Sequence, residues 1–510
     1  MPNDAPIGGG QSGHPRSHGH CVHPRSHDRW IVRRVDRRRL ISAGLAAGIA
    51  TGFNVRAEAL ADDETASSPK SERNQPAQTA PLETFVPVRQ ITRGPKYHWF
   101  GYYDKHEFSH DDALVLSNEI AFEHREPRPD DSIGVGYVDT RNGDRWVPLG
   151  QSSAWGWQQG CMLQFIPQTE RRNDVDGASA NIPSKRRVIW NDQRGDKFVS
   201  HIVDLDRPDP RRTLDRPIYT LSPDGRTALT LDFSRLDNLR PGYGYDGASD
   251  PHVDDAAPKD SGIWSIDLMT GQSRLILSLA DVAAIPWSDD VGGKRSVPAT
   301  AWHYFNHLLI NPAGDRFIAL HRYRPKFDPA TLTYDGGFVT RMITADMDGS
   351  NVRVLDPSGH TSHFIWDDDR HVTMWTRPAD RPWGFYRFTD PPPANGRVVQ
   401  PVGRGVMPAN GHNTYLPAPY DDWILNDTYP RRGNAGKPDR RQTVYLFHEP
   451  SGRRFDLGHF PSPPSYTGQW RCDTHPRSSR DGRTVAIDSP HNGGRQVYLL
   501  SIGDILDQHA

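Results

Sequence analysis

Ser222-Pro223-Asp224-Gly225-Arg226-Thr227-Ala228-Leu229-Thr230-Leu231-Asp232 and, further on, Gly262-Ile263-Trp264-Ser265-Ile266-Asp267-Leu268-Met269-Thr270-Gly271 are the two halves of one repeated phrase. The first half is an Asp-Gly turn that opens an apolar run. The second is an alternating strand closed by an Asp and a Thr-Gly turn. First halves recur at 108–119, 187–192, 221–233, 310–323, 364–376, 415–429 and 477–489. Second halves follow at 133–140, 198–206, 262–271, 342–349, 384–390, 443–452 and 495–502. Both read as short strands of period two bounded by turn residues, with little helical periodicity between them. A unit this small cannot bury its apolar face alone and must stack on copies of itself. Seven pairs of hairpins predict an all-β fold, a seven-bladed β-propeller over 85–510, in which radial repetition leaves only short edges. A sandwich fits the repeat less well, and a β-helix needs a much shorter one.

Composition agrees. The chain has 510 residues, with 45 Gly and 44 Pro supplying turns. Propellers grow by adding blades, so this length does not demand a second core. The net charge is −2 and no basic stripe interleaves with aromatics, which argues against a nucleic-acid partner. No apolar run reaches the roughly 20 residues of a spanning helix, so no membrane span is expected.

The N-terminus reads as an address. Asp36-Arg37-Arg38-Arg39-Leu40-Ile41-Ser42 places paired arginines before a mildly apolar stretch, and Ala59-Leu60-Ala61 offers a cleavage site. Residues 1–61 are therefore expected to be a twin-arginine export signal, with the export machinery for folded proteins as partner and the periplasm or medium as destination. A basic tail is the plainer alternative. Residues 62–84, polar and rich in Ser, Glu, Pro and Ala, read as a flexible leader.

Of three cysteines, Cys21 precedes the signal, leaving Cys161 and Cys472. So sparse a pair is no disulfide framework. In Arg471-Cys472-Asp473-Thr474-His475-Pro476-Arg477 a thiol and an imidazole stand three apart before a strand-opening turn. Both could reach one ion, and a thiolate suits zinc; simple packing is the alternative.

Two stretches carry a family resemblance. Cys472 to Arg483, running on to Gln496-Val497-Tyr498-Leu499, and Arg341-Met342-Ile343-Thr344-Ala345-Asp346-Met347-Asp348-Gly349 with Thr361-Ser362-His363-Phe364-Ile365-Trp366, resemble the oligogalacturonate lyases, propeller enzymes that use manganese held by a Gln and three His. The resemblance puts His412 and His475 on two of the His, Cys472 on the Gln and Arg477 on the last His. It implies a site of His412, Cys472 and His475, with His363 as a further ligand, holding a structural divalent metal: zinc first, manganese or calcium as alternatives. It also implies Arg341 as base with His363 beside it.

Most of 90–505 is also similar to the propeller ulvan lyases, through Trp99-Phe100-Gly101-Tyr102-Tyr103-Asp104, Trp157-Gln158-Gln159-Gly160, Trp190-Asn191-Asp192 and Pro217-Ile218-Tyr219. That similarity implies Tyr219 and Arg235, the latter on the following strand, as a catalytic pair, with Gln158, Gln159 and Asn191 where those lyases carry two His. Lyase chemistry wants such groups. Removing a proton α to a uronate carboxylate requires that its charge be neutralised, that a base take the proton, and that an acid protonate the leaving O4. His303, His307, Arg322 and Tyr243 are candidates for lining a sugar canyon, Tyr243 from the long insertion 238–260. Each has a plainer role as packing or brace.

The expected function is β-elimination on a uronate-containing polysaccharide or oligosaccharide. A glycoside hydrolase on the same scaffold, and a non-catalytic periplasmic glycan-binding propeller, are the alternatives.

Overall fold

The computed structural model describes residues 81–167, 186–287, 296–393, 396–430 and 440–509. The expected export signal lies outside them, as does the leader up to residue 80.

Among the described residues seven antiparallel blade sheets follow one another along the chain, with a separate two-stranded hairpin, Lys326–Asp328 and Thr333–Asp335, inserted in the fourth. Blade 1 runs from Tyr97–Trp99 to Arg145–Ser152, blade 2 from Gln164–Phe165 to Arg207–Leu214, and blade 3 from Thr220–Leu221 to Ser273–Ser278. Blade 4 runs from Trp302–Ile310 to Arg353–Gly359, blade 5 from Phe364–Trp366 to Val399–Val402, blade 6 from Thr414–Tyr415 to Arg453–Pro461, and blade 7 from Arg477–Ser478 to Gln496–Ser501. The phrase read from the sequence is the hairpin of each blade's first two strands, then the third.

Local chemistry explains why it recurs. Ser222 Oγ donates to Asp224 Oδ1 and accepts from Thr227 N–H at 2.9 Å, while Gly225 takes φ +65°. A Cβ at Gly225 would lie 2.1 Å from the Pro167 carbonyl oxygen, so the turn also needs glycine to pass blade 2. Ser479, Asp481 and Gly482 repeat the arrangement in blade 7, with Ser479 Oγ to Asp481 at 2.6 Å and Thr484 N–H to Ser479 Oγ at 2.9 Å. In the second half, Asp267 Oδ1 accepts from the backbone N–H of Met269 and Thr270 and closes the turn. Apolar alternate residues of neighbouring blades pack between the sheets, as Leu229, Ile263, Phe317 and Ile343 do in the largest cluster.

Closure uses the N-terminal segment twice. Val88–Gln90 pairs with Gln496–Ser501 as the outer strand of blade 7, and Glu83–Thr84 adds a fifth strand to blade 6. The sheet order therefore begins at Glu83, within the last residues of the expected leader.

Blade 1 departs from the phrase. Its inner strand begins at Tyr97, pairs with Ile120 to Asn118, and leaves the sheet after Trp99. The chain resumes the ladder only at the Phe108–Val115 bridge. Residues 100–107 thus leave the sheet in the middle of the inner strand. Arg235, expected on a strand, lies instead on a short helix, α1 (Phe233–Leu239), capped by Asp232.

A chain starting at Thr92 lacks both closing strands and the buried Ile91. Its unfolding free energy is expected to fall by at least ~3 kcal/mol relative to a chain starting at Leu82, measured by chemical denaturation. Equal stability of the two would show that the strands do not close the ring.

Candidate functional site

The segments that lead into the inner strands of blades 6 and 7 bring His412, Asp473 and His475 together. Among the described residues these form one group of buried ligand atoms, all within 4.8 Å of one another. Each is held in a ligating pose. Asp427, which follows strand Trp423–Asn426, accepts from His412 Nδ1 at 2.9 Å, from the His412 backbone N–H at 2.8 Å and from Thr474 Oγ1 at 2.6 Å. Burial favours the neutral acid here, but His412 and these hydrogen bonds hold the Asp427 carboxyl below its usual range. His412 therefore keeps its hydrogen on Nδ1 and presents Nε2, a carboxylate–histidine arrangement that orients metal ligands.

Two atoms of the group lack protein partners. His475 Nε2 and Asp473 Oδ1 are buried without a hydrogen bond, whereas Asp473 Oδ2 accepts from Arg471 Nε at 2.8 Å. Leaving such atoms unpaired costs about 1–3 kcal/mol each, and a cation satisfies both at once. Burial, together with His412 and Arg477, pushes His475 well below its usual range, so it offers a neutral lone pair. Two imidazoles and a carboxylate fit a divalent metal.

Cys472 is not part of this group, a correction to the expected ligand set. Along a non-helical segment residues two apart share a side, so Asp473 accompanies His475 and Cys472 turns away. Burial pushes its thiol up, and only its carbonyl is engaged, by Gln442 Nε2 at 2.8 Å. Cys161 and Cys472 are both free. His363 stands beside the group, its ring 4.2 Å from that of His412, with Nδ1 at 3.0 Å from Asn410 Oδ1 and Nε2 at 3.2 Å from the Tyr429 hydroxyl. Arg477, at the position of the third family His, is a buried brace to Glu107 at 2.8 Å and Asp488 at 3.2 Å.

A second constellation adjoins the first. Tyr102, from the excursion of blade 1, lies 5.2 Å from the His475 ring and stacks on His307 at 4.9 Å and 7°. Its hydroxyl is 3.2 Å from His307 Nε2. On the other side His307 Nδ1 is 3.1 Å from the Tyr219 hydroxyl and 3.2 Å from Gln159 Nε2. His307 can turn this way because blade 4's inner strand bulges there, with φ +52° and a register shift between Asn306 and Leu309. Burial holds His307 well below its usual range, aided by Arg322, and pushes Tyr219 well above its own. Tyr243 packs edge-on to His307 at 5.7 Å and accepts from Arg471 at 2.7 Å.

The remaining candidates serve the scaffold. Arg235, which is buried, spends its guanidinium on Asp250 and on the carbonyls of His252, His303, Asp255 and Ala256, so it is no partner of Tyr219. Arg341 donates to His321 Nδ1 at 3.0 Å and to the carbonyls of Val282, Ile285 and Pro286 at the end of α2 (Leu279–Ala284). Burial lowers it only to about 10, which leaves it a cation rather than a base. His303 bonds His321 at 3.0 Å behind it. Asn191 ties blade 2 to Ile218 and Tyr245, and Gln158 holds the carbonyls of Gln469 and Arg471. Asp473, Asp427, Tyr102 and Asn410 escaped the sequence reading. The Asp at two residues before His475 was the one available signal.

No family model matches the sequence, and no curated protein does. Solved structures do. An oligogalacturonate lyase in complex with manganese is 14% identical and aligns over 84% of this chain and 98% of its own, with a TM-score of 0.49. The oligogalacturonate lyase of Vibrio parahaemolyticus is 13% identical over 83% of this chain and 97% of its own, with a TM-score of 0.50. TolB of Acinetobacter baumannii is 12% identical over 66% and 61%, with a TM-score of 0.31. At such identities the likeness is one of fold, the seven-bladed propeller.

Purified protein supplied with divalent cation is expected to retain about one equivalent by elemental analysis. His475→Ala and Asp473→Ala should weaken binding by ~10²-fold or more, while Cys472→Ala should bind as the wild type does. Loss of metal in Cys472→Ala would restore the thiolate as a ligand.

Proposed function

We propose that this propeller is a metal-dependent lyase that cleaves a uronate-containing glycan by β-elimination. The observation that carries the reading is the adjacency of two buried, unsatisfied ligand atoms, His475 Nε2 and Asp473 Oδ1, to a Tyr–His–Tyr group able to hold and move a proton. The fold of the oligogalacturonate lyases supports it, as do the sequence resemblances to those enzymes and to the ulvan lyases. The twin-arginine segment supports a site of action in the periplasm or medium.

His412, Asp473 and His475 would hold the metal. Two imidazoles and a carboxylate accept either zinc or manganese, and manganese, which accompanies the similar lyase, is the ion we assign. A metal there would neutralise the substrate carboxylate and so acidify the proton on C5. The chain supplies the rest. Since Arg341 is committed to α2, the base is His363: Nδ1 donates to Asn410 Oδ1, so Nε2, which the Tyr429 hydroxyl reaches at 3.2 Å, carries the lone pair that takes the proton when substrate displaces that hydroxyl. Tyr219, held protonated by burial, and His307 belong to the acid side. Gln159 orients both.

Incubation with pectic, ulvan or glucuronan oligosaccharides should yield a product with the ultraviolet absorbance of an unsaturated uronate, which hydrolysis does not form. His363→Gln should lower kcat by ~10²-fold or more while metal content stays at the wild-type level. A saturated reducing-end product would replace the lyase reading with hydrolysis.

A further inference from the structure

We propose that Tyr102 is the group that protonates the departing glycosidic oxygen, and that His307 and Tyr219 form the relay behind it; the assignment rests on the lyase reading above. The direction of the hydrogen bonds carries it. Gln159 Nε2 can only donate, and it faces His307 Nδ1 at 3.2 Å. The Tyr219 hydroxyl oxygen already accepts two N–H groups, that of Gln159 Nε2 at 2.8 Å and the His307 backbone N–H at 3.1 Å, and of the acceptors within reach of its own hydrogen, His307 Nδ1 at 3.1 Å, Gln159 Oε1 at 3.2 Å and Asn306 Oδ1 at 3.4 Å, Nδ1 is the nearest. Nδ1 is therefore an acceptor. A neutral imidazole then carries its hydrogen on Nε2, which faces the Tyr102 oxygen at 3.2 Å. Tyr102 accepts there, and among the described residues no acceptor is seen for its own hydrogen. The Tyr102 ring itself lies 5.2 and 6.1 Å from the rings of His475 and His412.

The step balances. The C5 proton passes to His363 Nε2, and the C5–H electron pair becomes the C4=C5 bond. The C4–O4 pair leaves with O4, which takes the proton of Tyr102. The Tyr102 oxygen regains a proton from His307 Nε2 as Nδ1 takes that of Tyr219. The negative charge comes to rest on Tyr219, where the His307 N–H and Gln159 Nε2–H donate to it and Arg322 lowers the cost. Exchange with water returns the proton from His363 to Tyr219.

The test uses full-length, manganese-loaded wild type, Tyr102→Phe and Tyr219→Phe on two substrates, a uronate oligosaccharide and a 4-deoxy-4-fluoro uronide whose fluoride leaves without a proton. Tyr102→Phe should lose ~10²-fold or more in kcat on the oligosaccharide yet stay within about threefold of wild type on the fluoride, with metal content unchanged; Tyr219→Phe should lose about tenfold on the oligosaccharide. In histidine-labelled wild type, nitrogen-15 spectra should place the His307 proton on Nε2. Full turnover of the oligosaccharide by Tyr102→Phe, equal losses on both substrates, loss of metal in that variant, or a His307 proton on Nδ1 overturns the assignment while leaving the lyase reading intact. Wild-type protein that eliminates neither substrate overturns the lyase reading itself.

Discussion

The guanidinium of Arg477 joins everything the site is made from. It donates to Glu107, at the end of the excursion that carries Tyr102 and Tyr103, to the carbonyl of the ligand His475, and to Asp488. Asp488 in turn accepts from the backbone N–H of Phe100 and Gly101, at the start of the same excursion. One buried cation thus fixes both ends of the blade 1 excursion against the segment of blade 7 that carries Asp473 and His475, across the seam where the ring closes. Removing one partner from such a network strands the others in a dry interior, a cost of several kcal/mol that well-packed hydrophobic residues would not incur. Burial already pushes Glu107 up to about 7 against the pull of Arg477, as expected when two carboxylates share one guanidinium. The return on that cost is position. Tyr102 meets the rings of His307, His412 and His475 because its backbone cannot shift.

The same logic separates the arginines that look catalytic in the sequence. Arg235 and Arg341 are each surrounded by main-chain carbonyls of loops and helix ends that have no partner in a sheet. Insertions between strands leave such carbonyls over, and a planar five-donor fork is the side chain best able to gather several of them. Arg235 closes the insertion after blade 3's second strand, and Arg341 closes the connection from blade 3 to blade 4. An arginine in a long-looped propeller is therefore as often a structural answer to irregular backbone as a clamp for an anion.

How far the sequence reaches follows from what repeats. The strands are legible because the blades repeat one turn-and-strand phrase, with the same Ser–Asp–Gly turn at Ser222 and Ser479, and seven copies average out local ambiguity. The site is made of the departures from that pattern, and a departure has no second copy to confirm it. The excursion 100–107 breaks an inner strand with a single glycine, Gly101 at φ +133°, to announce it. His307 lies in an apolar strand, and only its left-handed backbone turns it toward Tyr219. His412 and His475 were legible through the family resemblance, and His475 also through its spacing from Cys472. The choice between Cys472 and Asp473 turned on which side of a short extended segment faces inward, a one-residue question that spacing alone answers either way.

The arrangement of the two constellations also constrains how any reaction here must run. Tyr102 is the only described residue whose ring touches His307 on one side and the His412 and His475 rings on the other. Tyr103, its neighbour, packs on it with ring centroids 4.7 Å apart and differs in its hydrogen bonds. It packs against His363 and His412 and locks its hydroxyl to the backbone of Phe364, donating to the carbonyl and accepting from the N–H. With both hydrogen-bonding roles filled, Tyr103 has nothing to offer a substrate and serves as floor. Tyr102 accepts from His307 and keeps its own hydrogen. Two adjacent tyrosines on one excursion therefore divide the work by their hydrogen bonds, Tyr103 anchored to the start of blade 5 and Tyr102 joining the His412 and His475 rings to His307, and the excursion in blade 1 is what allows a propeller of nearly identical blades to hold both at one place.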